Sequence, residues 1–361
     1  MSRKPDRPLR KGWTTGACAT AAVRAAYGAL LTGEFADPVT ITLPRGEQPS
    51  FALAHRLLAD GYAEAAVVKD AGDDPDVTHG ATIQVRVELA EAGGGVIFRA
   101  GAGVGTATLP GLPIAVGEPA INPAPRAMMS EVIAALAAEH GAPGDVAITI
   151  SIPGGEALAE KTWNPRLGIR GGLSILGTTG IVIPYSCSAW IHSIHSGIDV
   201  ARASGFDHVA GSTGKTSEAA VKAHYGLVDA ALLDMGDFAG GMLKYLRRHP
   251  LPWVTVAGGF AKLTKLAQGH LDLHSSRAQV DFDDLAAMLG GLGAAPELVD
   301  QARAANTANQ VLAMAEEAGL PLADLIARRA RETALATLAG ATRLDVMVIG
   351  RDGGIIGHAG A

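Results

Sequence analysis

The sequence predicts two domains of different texture. Residues 1–165 read as an N-terminal α+β domain. Residues 166–361 read as a C-terminal Rossmann-like α/β domain, a mostly parallel sheet with helices on both faces. Three observations carry this reading. The length of 361 residues favours two domains. Hydrophobic content is 48% with only 4% aromatics and 46 glycines, so the core is built of Ala, Val, Ile and Leu joined by many turns. From about residue 165, short apolar runs alternate with Gly-rich turns and helical stretches, the pattern of βαβ units.

Residues 1–12 read as a polar arm. Gly12-Trp13-Thr14-Thr15-Gly16 then precedes an alanine-rich stretch, with Thr14 or Thr15 as the N-cap and Gly33 closing the helix. Free N–H groups, two hydroxyls and Lys11 at a helix start suit a carboxylate, although an ordinary capped helix explains the same residues. Val39–Leu43 and Phe51–Leu58 alternate as strands do. The strand Ala65–Lys69 runs into Asp70-Ala71-Gly72-Asp73-Asp74-Pro75-Asp76-Val77-Thr78-His79-Gly80, the densest polar cluster in the chain. Its spacing is not that of an EF-hand. Asp70, Asp73 and His79 are candidates for a general base, while turn chemistry alone also selects these residue types. Ile83–Leu89 and Val96–Ala100 read as strands paired across Gly93-Gly94-Gly95. A helix from Pro123 to about His140 is capped by Asn122, with Arg126 as a candidate anion contact. Val146–Ile152 is a further strand.

In the second domain the expected strands are Leu173–Leu176, His208–Ala210, Ala230–Asp234, Trp253–Val256 and Asp345–Ile349. The expected helices are 187–204, 215–225, 238–248, 260–268, 282–292, 297–318 and 321–340. The turns Gly177-Thr178-Thr179-Gly180, Gly211-Ser212-Thr213-Gly214, Met235-Gly236-Asp237 and Gly258-Gly259 should gather at one sheet edge, where ligands of open α/β sheets bind. Asp234 and Asp237 stand where acceptors for ribose hydroxyls are common, and Asp237 also fits a helix cap. Gly211–Thr216 resembles the end of a phosphate loop, but Val209 occupies the position of the required first glycine. His192, His195 and Asp199 share one helix face. A solvated face or a satisfied histidine explains them as well as a metal does.

Composition excludes several classes. A formal charge of -6 implies no general nucleic-acid affinity. No apolar run reaches ~18 residues, which argues against a membrane span. Cys18 and Cys187 offer neither a disulfide framework nor a zinc site, and both read as buried apolar residues. The basic N-terminus lacks the apolar stretch of a signal peptide. The expectation is a cytoplasmic protein with no protein-bound metal.

Six stretches in order carry a resemblance. They are Lys11–Gly16 with Cys18-Ala19, Lys69–Gly80, Gly117–Pro123, Lys161–Ile169, Arg170–Val182, and Gly259–Ala267. Together they resemble the CbiD family, the cobalt-precorrin-5B carbon-1 methyltransferases of cobalamin biosynthesis. The resemblance implies methyl transfer from S-adenosylmethionine to carbon 1 of an anionic corrin precursor, giving cobalt-precorrin-6A. On that basis Gly177, Thr178, Thr179, Gly180, Ser212, Thr213, Asp234 and Asp237 are assigned to the cofactor. Its sulfonium and amino-acid end is expected near Gly177–Gly180 and its ribose near Asp234 or Asp237. Lys11, Thr14, Thr15, Arg126, Arg166, Lys262 and Lys265 are assigned to the substrate's carboxylates. Two departures from the family pattern stand out: Ile183-Pro184-Tyr185-Ser186, where an acidic residue and a Met-Ser pair are more usual, and the histidine-bearing helix 189–199. A homo-oligomer is left open. The alternatives are a non-catalytic tetrapyrrole or metal carrier, and a small-molecule kinase using residues 211–216.

Overall fold

The computed structural model describes residues 8–360, so most of the expected polar arm (residues 1–7) lies outside the described residues. Chain contacts divide the protein into two units, Met1–Cys187 and Ser188–Ala361. The division expected after residue 165 therefore falls later. The cause is local pairing: Ile169–Arg170 pairs with Thr106–Ala107, Gly172–Leu173 with Gly103–Val104, and Ile181–Val182 with Gly12–Trp13. These short ladders bind residues 169–182 to the first unit.

In the first unit, helix α1 (Thr15–Thr32) is capped by Thr14, whose hydroxyl accepts the Ala17 N–H at 3.1 Å, and it ends at Gly33 with φ 81°. Its small side chains let the helix sink into the core, with Ala17, Cys18, Ala21, Ala22 and Tyr27 fully buried. A five-stranded sheet lies against it: β1 (His55–Ala59), β2 (Tyr62–Val68), β3 (Thr82–Leu89), β4 (Val96–Ala100) and β5 (Val146–Ser151), in the order β1-β2-β3-β5-β4. The expected β3–β4 hairpin does not form. Strand β5 runs between them, antiparallel to β3 and parallel to β4. Val146, Ile148 and Ile150 are fully buried, so the most apolar strand takes an interior position. Ile83, Val85 and Val87 alternate inward in β3, as period two requires. Helix α2 (Pro123–His140) completes the same core through Met129, Ile133 and Leu136. Val39–Thr40 and Ser50–Phe51 form a separate two-stranded ladder, shorter than the alternation suggested.

The second unit alternates strands and helices. In chain order these are α3 (Cys187–Ala203, its first residue still in the first unit), β6 (His208–Ser212), α4 (Lys215–Tyr225), β7 (Leu232–Asp234), α5 (Ala239–Arg248), β8 (Trp253–Gly259), α6 (Phe260–Ala267) and α7 (Phe282–Gly291). They continue with α8 (Pro296–Arg303), α9 (Ala308–Glu317), α10 (Leu322–Leu338), β9 (Arg343–Ile349) and β10 (Ile355–Ala359). The sheet order is β7-β6-β8-β9-β10, parallel throughout except for the antiparallel edge β10. Both faces are covered. Val209, Val254, Val256, Leu344, Val346 and Val348 join the large core with α3, α5, α6 and α10. Ala210, Ala257, Met347 and Ile349 face the other way and pack with Val221 of α4. This two-sided burial is why the strands read as nearly continuous apolar runs.

Three expectations for this unit change. Leu173–Leu176 is not a strand of its sheet. The predicted helix 297–318 breaks into α8 and α9, because Thr307 restarts the chain as an N-cap. Its hydroxyl accepts the Gln310 N–H at 3.2 Å, while the Gln310 side chain accepts the Asn306 N–H at 3.1 Å. Strand β10 was not expected. Among the described residues, no helix is long and apolar enough to cross a membrane.

At the amino edge of this sheet, the His208 ring stacks on Trp253 at 3.7 Å and its Nε2 lies 2.8 Å from Thr255 Oγ1. Burial pushes the imidazole down to about 4, with Asp345 opposing and Arg343 assisting. The unfolded chain takes up this proton near 6.5 and the folded chain does not. Stability is therefore complete above pH 6.5 and falls as pH drops toward 4. A His208→Gln variant is expected to flatten that limb by on the order of 2 kcal/mol. Urea unfolding at pH 7 and pH 5 checks this, and an unchanged pH difference in the variant refutes it.

Candidate functional site

Three segments remote in sequence meet in the first unit. The Trp13 N–H donates to Asp70 O at 2.7 Å, the Asp73 N–H to Arg10 O at 2.9 Å, and the Thr14 N–H to Gly180 O at 3.0 Å. Gly12 and Gly72 let the first two strands of chain touch. A Cβ on Gly12 would lie 2.0 Å from the Ala71 carbonyl carbon, and one on Gly72 2.2 Å from Arg10 O. The Gly177–Gly180 turn closes over the same place. A Cβ on Gly177 would strike the Thr14 side chain at 2.3 Å.

The acidic loop sorts its carboxylates by environment. Asp70 is forked by the Arg10 guanidinium, one contact being 2.8 Å, and it accepts the Gly72 N–H at 2.9 Å. The Arg10 hydrogen bond, then the Gly72 N–H, pull its carboxyl down to about 2 against some desolvation. A carboxylate so held is a poor proton acceptor, which tells against Asp70 as a base. Asp73 accepts the Arg10 N–H at 2.8 Å and so braces the arm. His79 Nδ1 accepts the Ala71 N–H at 3.1 Å. The neutral ring must then carry its proton on Nε2, which makes His79 a donor rather than a base. Sequence reasoning missed Asp74. Burial raises its carboxyl, the Tyr185 N–H (2.8 Å) and Lys69 oppose this, and Asp76 adds to it. Tyr185, its partner, sits at φ 56°, a left-handed conformation uncommon outside glycine. Strain of this kind gathers at functional positions.

Sequence reasoning also missed Lys69. Its side chain is 1% exposed, and Nζ donates to Asp76 Oδ2 at 2.5 Å and to Thr78 Oγ1 at 2.7 Å. Thr78 in turn donates its N–H and its hydroxyl to Asp76 Oδ1, each at 2.7 Å. Burial pushes the Asp76 carboxyl up, but Lys69 and Thr78 together hold it below its ordinary value. A lysine heading an acid-rich motif was the available signal. Cys18 beneath is fully buried, and burial lifts its thiol to about 12, so it is no nucleophile.

The residues assigned to substrate carboxylates are placed variously. Lys11 is exposed. Thr14 caps α1, and Thr15 Oγ1 both accepts the Leu176 N–H at 3.0 Å and reaches Leu176 O at 3.2 Å. Arg126 is spent on the preceding loop, donating to Ile121 O (2.8 Å), Glu118 (3.0 Å) and Pro119 O (3.2 Å). Arg166 lies over the Trp163 ring at 5.0 Å. Lys262 and Lys265 belong to the second unit.

The residues assigned to the cofactor divide between the units. Gly177, Thr178, Thr179 and Gly180 belong to the first, where the Thr179 hydroxyl accepts the Ile181 N–H at 3.3 Å within its own turn. Ser212, Thr213, Asp234 and Asp237 gather at the carboxyl edge of the parallel strands, where Ser212 pairs in register with Asp234 and Ala257. Ser212 is 1% exposed, and among the described residues its hydroxyl has no hydrogen-bond partner. Asp237 is 8% exposed, and its Oδ1 lies 2.9 Å from Lys262 Nζ, which also donates to Thr213 O at 3.1 Å. Lys265 is turned inward to Leu273 O at 3.0 Å, and burial lowers its ammonium. Trp190, not anticipated, donates its indole N–H to Asp234 O at 2.9 Å and lies against Gly236, whose absent Cβ would stand 3.5 Å from the ring.

The histidine face of α3 packs against Tyr245 of α5. His195 stacks on Tyr245 at 3.9 Å, and Asp199 accepts the Tyr245 hydroxyl at 2.7 Å. Among the described residues, no three His, Cys, Asp or Glu side chains gather as metal ligands.

An acidic loop braced by an arginine, and a parallel sheet edge lined with glycine turns and the buried Ser212 hydroxyl, are two polar clusters of a two-unit mixed α/β protein. Residues 2–184 match the CbiD family and residues 272–360 match the CbiD C-terminal domain. The chain is 63% identical over 349 residues to the cobalt-precorrin-5B C(1)-methyltransferase of Brucella anthropi, covering 96% of this chain and 95% of that protein. It is 62% identical over 355 residues to the protein of the same name from Paramagnetospirillum magneticum, covering 98% and 99%. A 1.9 Å crystal structure of a cobalamin biosynthesis protein (cbiD) from Archaeoglobus fulgidus is 28% identical, covering 74% of this chain and 83% of that one, with a TM-score of 0.40. The chain belongs to the CbiD family.

Proposed function

We propose that the chain methylates carbon 1 of cobalt-precorrin-5B, using S-adenosylmethionine, to give cobalt-precorrin-6A in cobalamin biosynthesis, in the cytoplasm. The observation that carries this reading is the 62–63% identity, over nearly the whole of both chains, to proteins bearing that name. The donor supplies an electrophilic methyl group on a sulfonium. The second unit, with its mostly parallel sheet, suits the donor. The unpartnered Ser212 hydroxyl, the half-buried Asp234 and the Gly236 and Gly258 turns supply polar groups and close backbone approach where ligands of such sheets bind. The loops of the first unit suit the ring. Lys11 and Thr14 face carboxylate groups, and the His79 Nε2–H donates to a ring substituent. Asp74 takes the proton that the ring gives up, the role first considered for Asp70, Asp73 and His79. Rate then comes chiefly from orientation of two bound reactants, an effect worth as much as ~7–11 kcal/mol.

Incubation with S-adenosylmethionine and cobalt-precorrin-5B should yield a product one methyl heavier by mass spectrometry. A carrier would return the ring unchanged, and that result would reject the proposal. Ser212→Val should weaken S-adenosylhomocysteine binding about tenfold by calorimetry, the scale of one lost buried hydrogen bond. Binding of a magnesium nucleotide would favour the kinase instead, but Val209 already removes its first glycine.

A further inference from the structure

The Lys262–Asp237 pair joins α6 to the turns that follow β6 and β7. It sits at the end of the sheet rather than in the core, with the lysine side chain 36% exposed and the aspartate 11%. Lys262 carries three donors, and Thr213 O and Asp237 are its partners among the described residues. Asp237 Oδ1 lies 2.9 Å from the ammonium, and among the described residues no other donor reaches that oxygen. Helix α6 starts at Gly259, which offers no side chain to cap it. The first N–H groups of that helix have no intrahelical acceptor, and they precede or include Lys262.

Opposite charges held side by side are complementary to a ligand bearing the same two charges in reverse order. A phosphate or a polycarboxylate would gain Lys262 and meet Asp237 as a like charge. A free α-amino acid group would gain both. We propose that this pair receives the zwitterionic amino-acid end of the methyl donor, with the α-carboxylate on Lys262 and the first turn of α6, and the α-ammonium on Asp237. The inference rests on the placement of the donor in the second unit. It moves Lys262 from the ring's carboxylates to the donor, moves the amino-acid end away from Gly177–Gly180, and leaves Asp234 for the ribose.

Calorimetry with two probes tests it. S-adenosylhomocysteine carries the amino-acid end, and 5′-methylthioadenosine lacks it. Lys262→Gln and Asp237→Asn should each weaken S-adenosylhomocysteine binding at least tenfold and leave 5′-methylthioadenosine binding within twofold. Retained binding of the second probe also establishes that each variant is folded. Equal weakening of both probes would make the pair a scaffold and overturn the inference. Unchanged S-adenosylhomocysteine affinity in both variants would overturn it too. In that case Ser212→Val separates the causes: if it weakens both probes, the donor site stands and only the zwitterion assignment fails. If it weakens neither, the placement of the donor fails as well.

Discussion

Replacing Asp74 with asparagine is expected to lower kcat by roughly 10²–10⁴ while KM changes little. The asparagine keeps an oxygen for the Tyr185 N–H, so the strained turn at 185 should survive, and only proton uptake is lost. Burial raises the Asp74 carboxyl, and activity that needs it ionised should fall as pH drops through that raised value. The variant should lack this acid limb. The matching change at Asp70 should behave differently. Its carboxylate stays ionised down to about 2, so Asp70→Asn should loosen the Arg10 arm and raise KM without moving the acid limb. A stopped assay of kcat and KM from pH 5 to pH 9 decides between them. Asp74→Asn retaining kcat within threefold would end the assignment.

Removing the Lys69 charge should cost the first unit about 3–5 kcal/mol. Lys69→Met leaves Asp76 with its Thr78 donors but without its buried cation. Because the Asp76 side chain keeps 25% of its exposure, the lower end of the range is expected. Asp76 is held below its ordinary value in the folded chain, so its contribution is complete above the unfolded pKa and is lost as pH falls through the folded one. Lys69→Met should erase that dependence. Lys69→Met with Asp76→Leu should recover part of the loss, since an apolar pair carries no stranded charge. Thermal unfolding at pH 7 measures both variants. A single mutant as stable as the parent would show the pair to be dispensable.

Much of this architecture was legible in the sequence. Period-two and apolar runs located most strands, and Thr14, Asn122 and the glycines at 33 and 141 bounded the first two helices. What failed was pairing. Nothing local in Val146–Ser151 says that it inserts between β3 and β4. Leu173–Leu176 is apolar and followed by a glycine turn, as a strand of the second sheet would be, yet only Leu173 joins a ladder, with Val104, and Ile175 makes an isolated bridge to Ile121. Register between remote segments is decided by mutual burial, which a window of sequence does not contain. The same holds for the site. The acidic loop was visible as a cluster, but which carboxylate is pinned depends on Arg10, 60 residues from Asp70, and which is raised depends on burial in the folded chain, opposed by the N–H of Tyr185, 111 residues from Asp74. Ser212 was singled out because a hydroxyl at a strand end has a known use. Trp190 was not, since an aromatic on a helix reads as core.

The pairing of Gly12–Trp13 with Ile181–Val182 has a consequence for synthesis on the ribosome. Domains generally fold as units as the chain emerges, and non-local contacts must wait for their partners. Here residues 12 and 13 leave the tunnel well before residues 181 and 182, with which they pair. Until Val182 is clear, Trp13 lacks its strand partner and the arm that pins Asp70 is held at one side only. Growth of the first unit therefore ends where it began. The hydrogen bonds that set Asp70 lie within residues 10–73, but the donor to Asp74 is the Tyr185 N–H, so nascent chains truncated before residue 185 should carry the pinned Asp70 without the partner of Asp74.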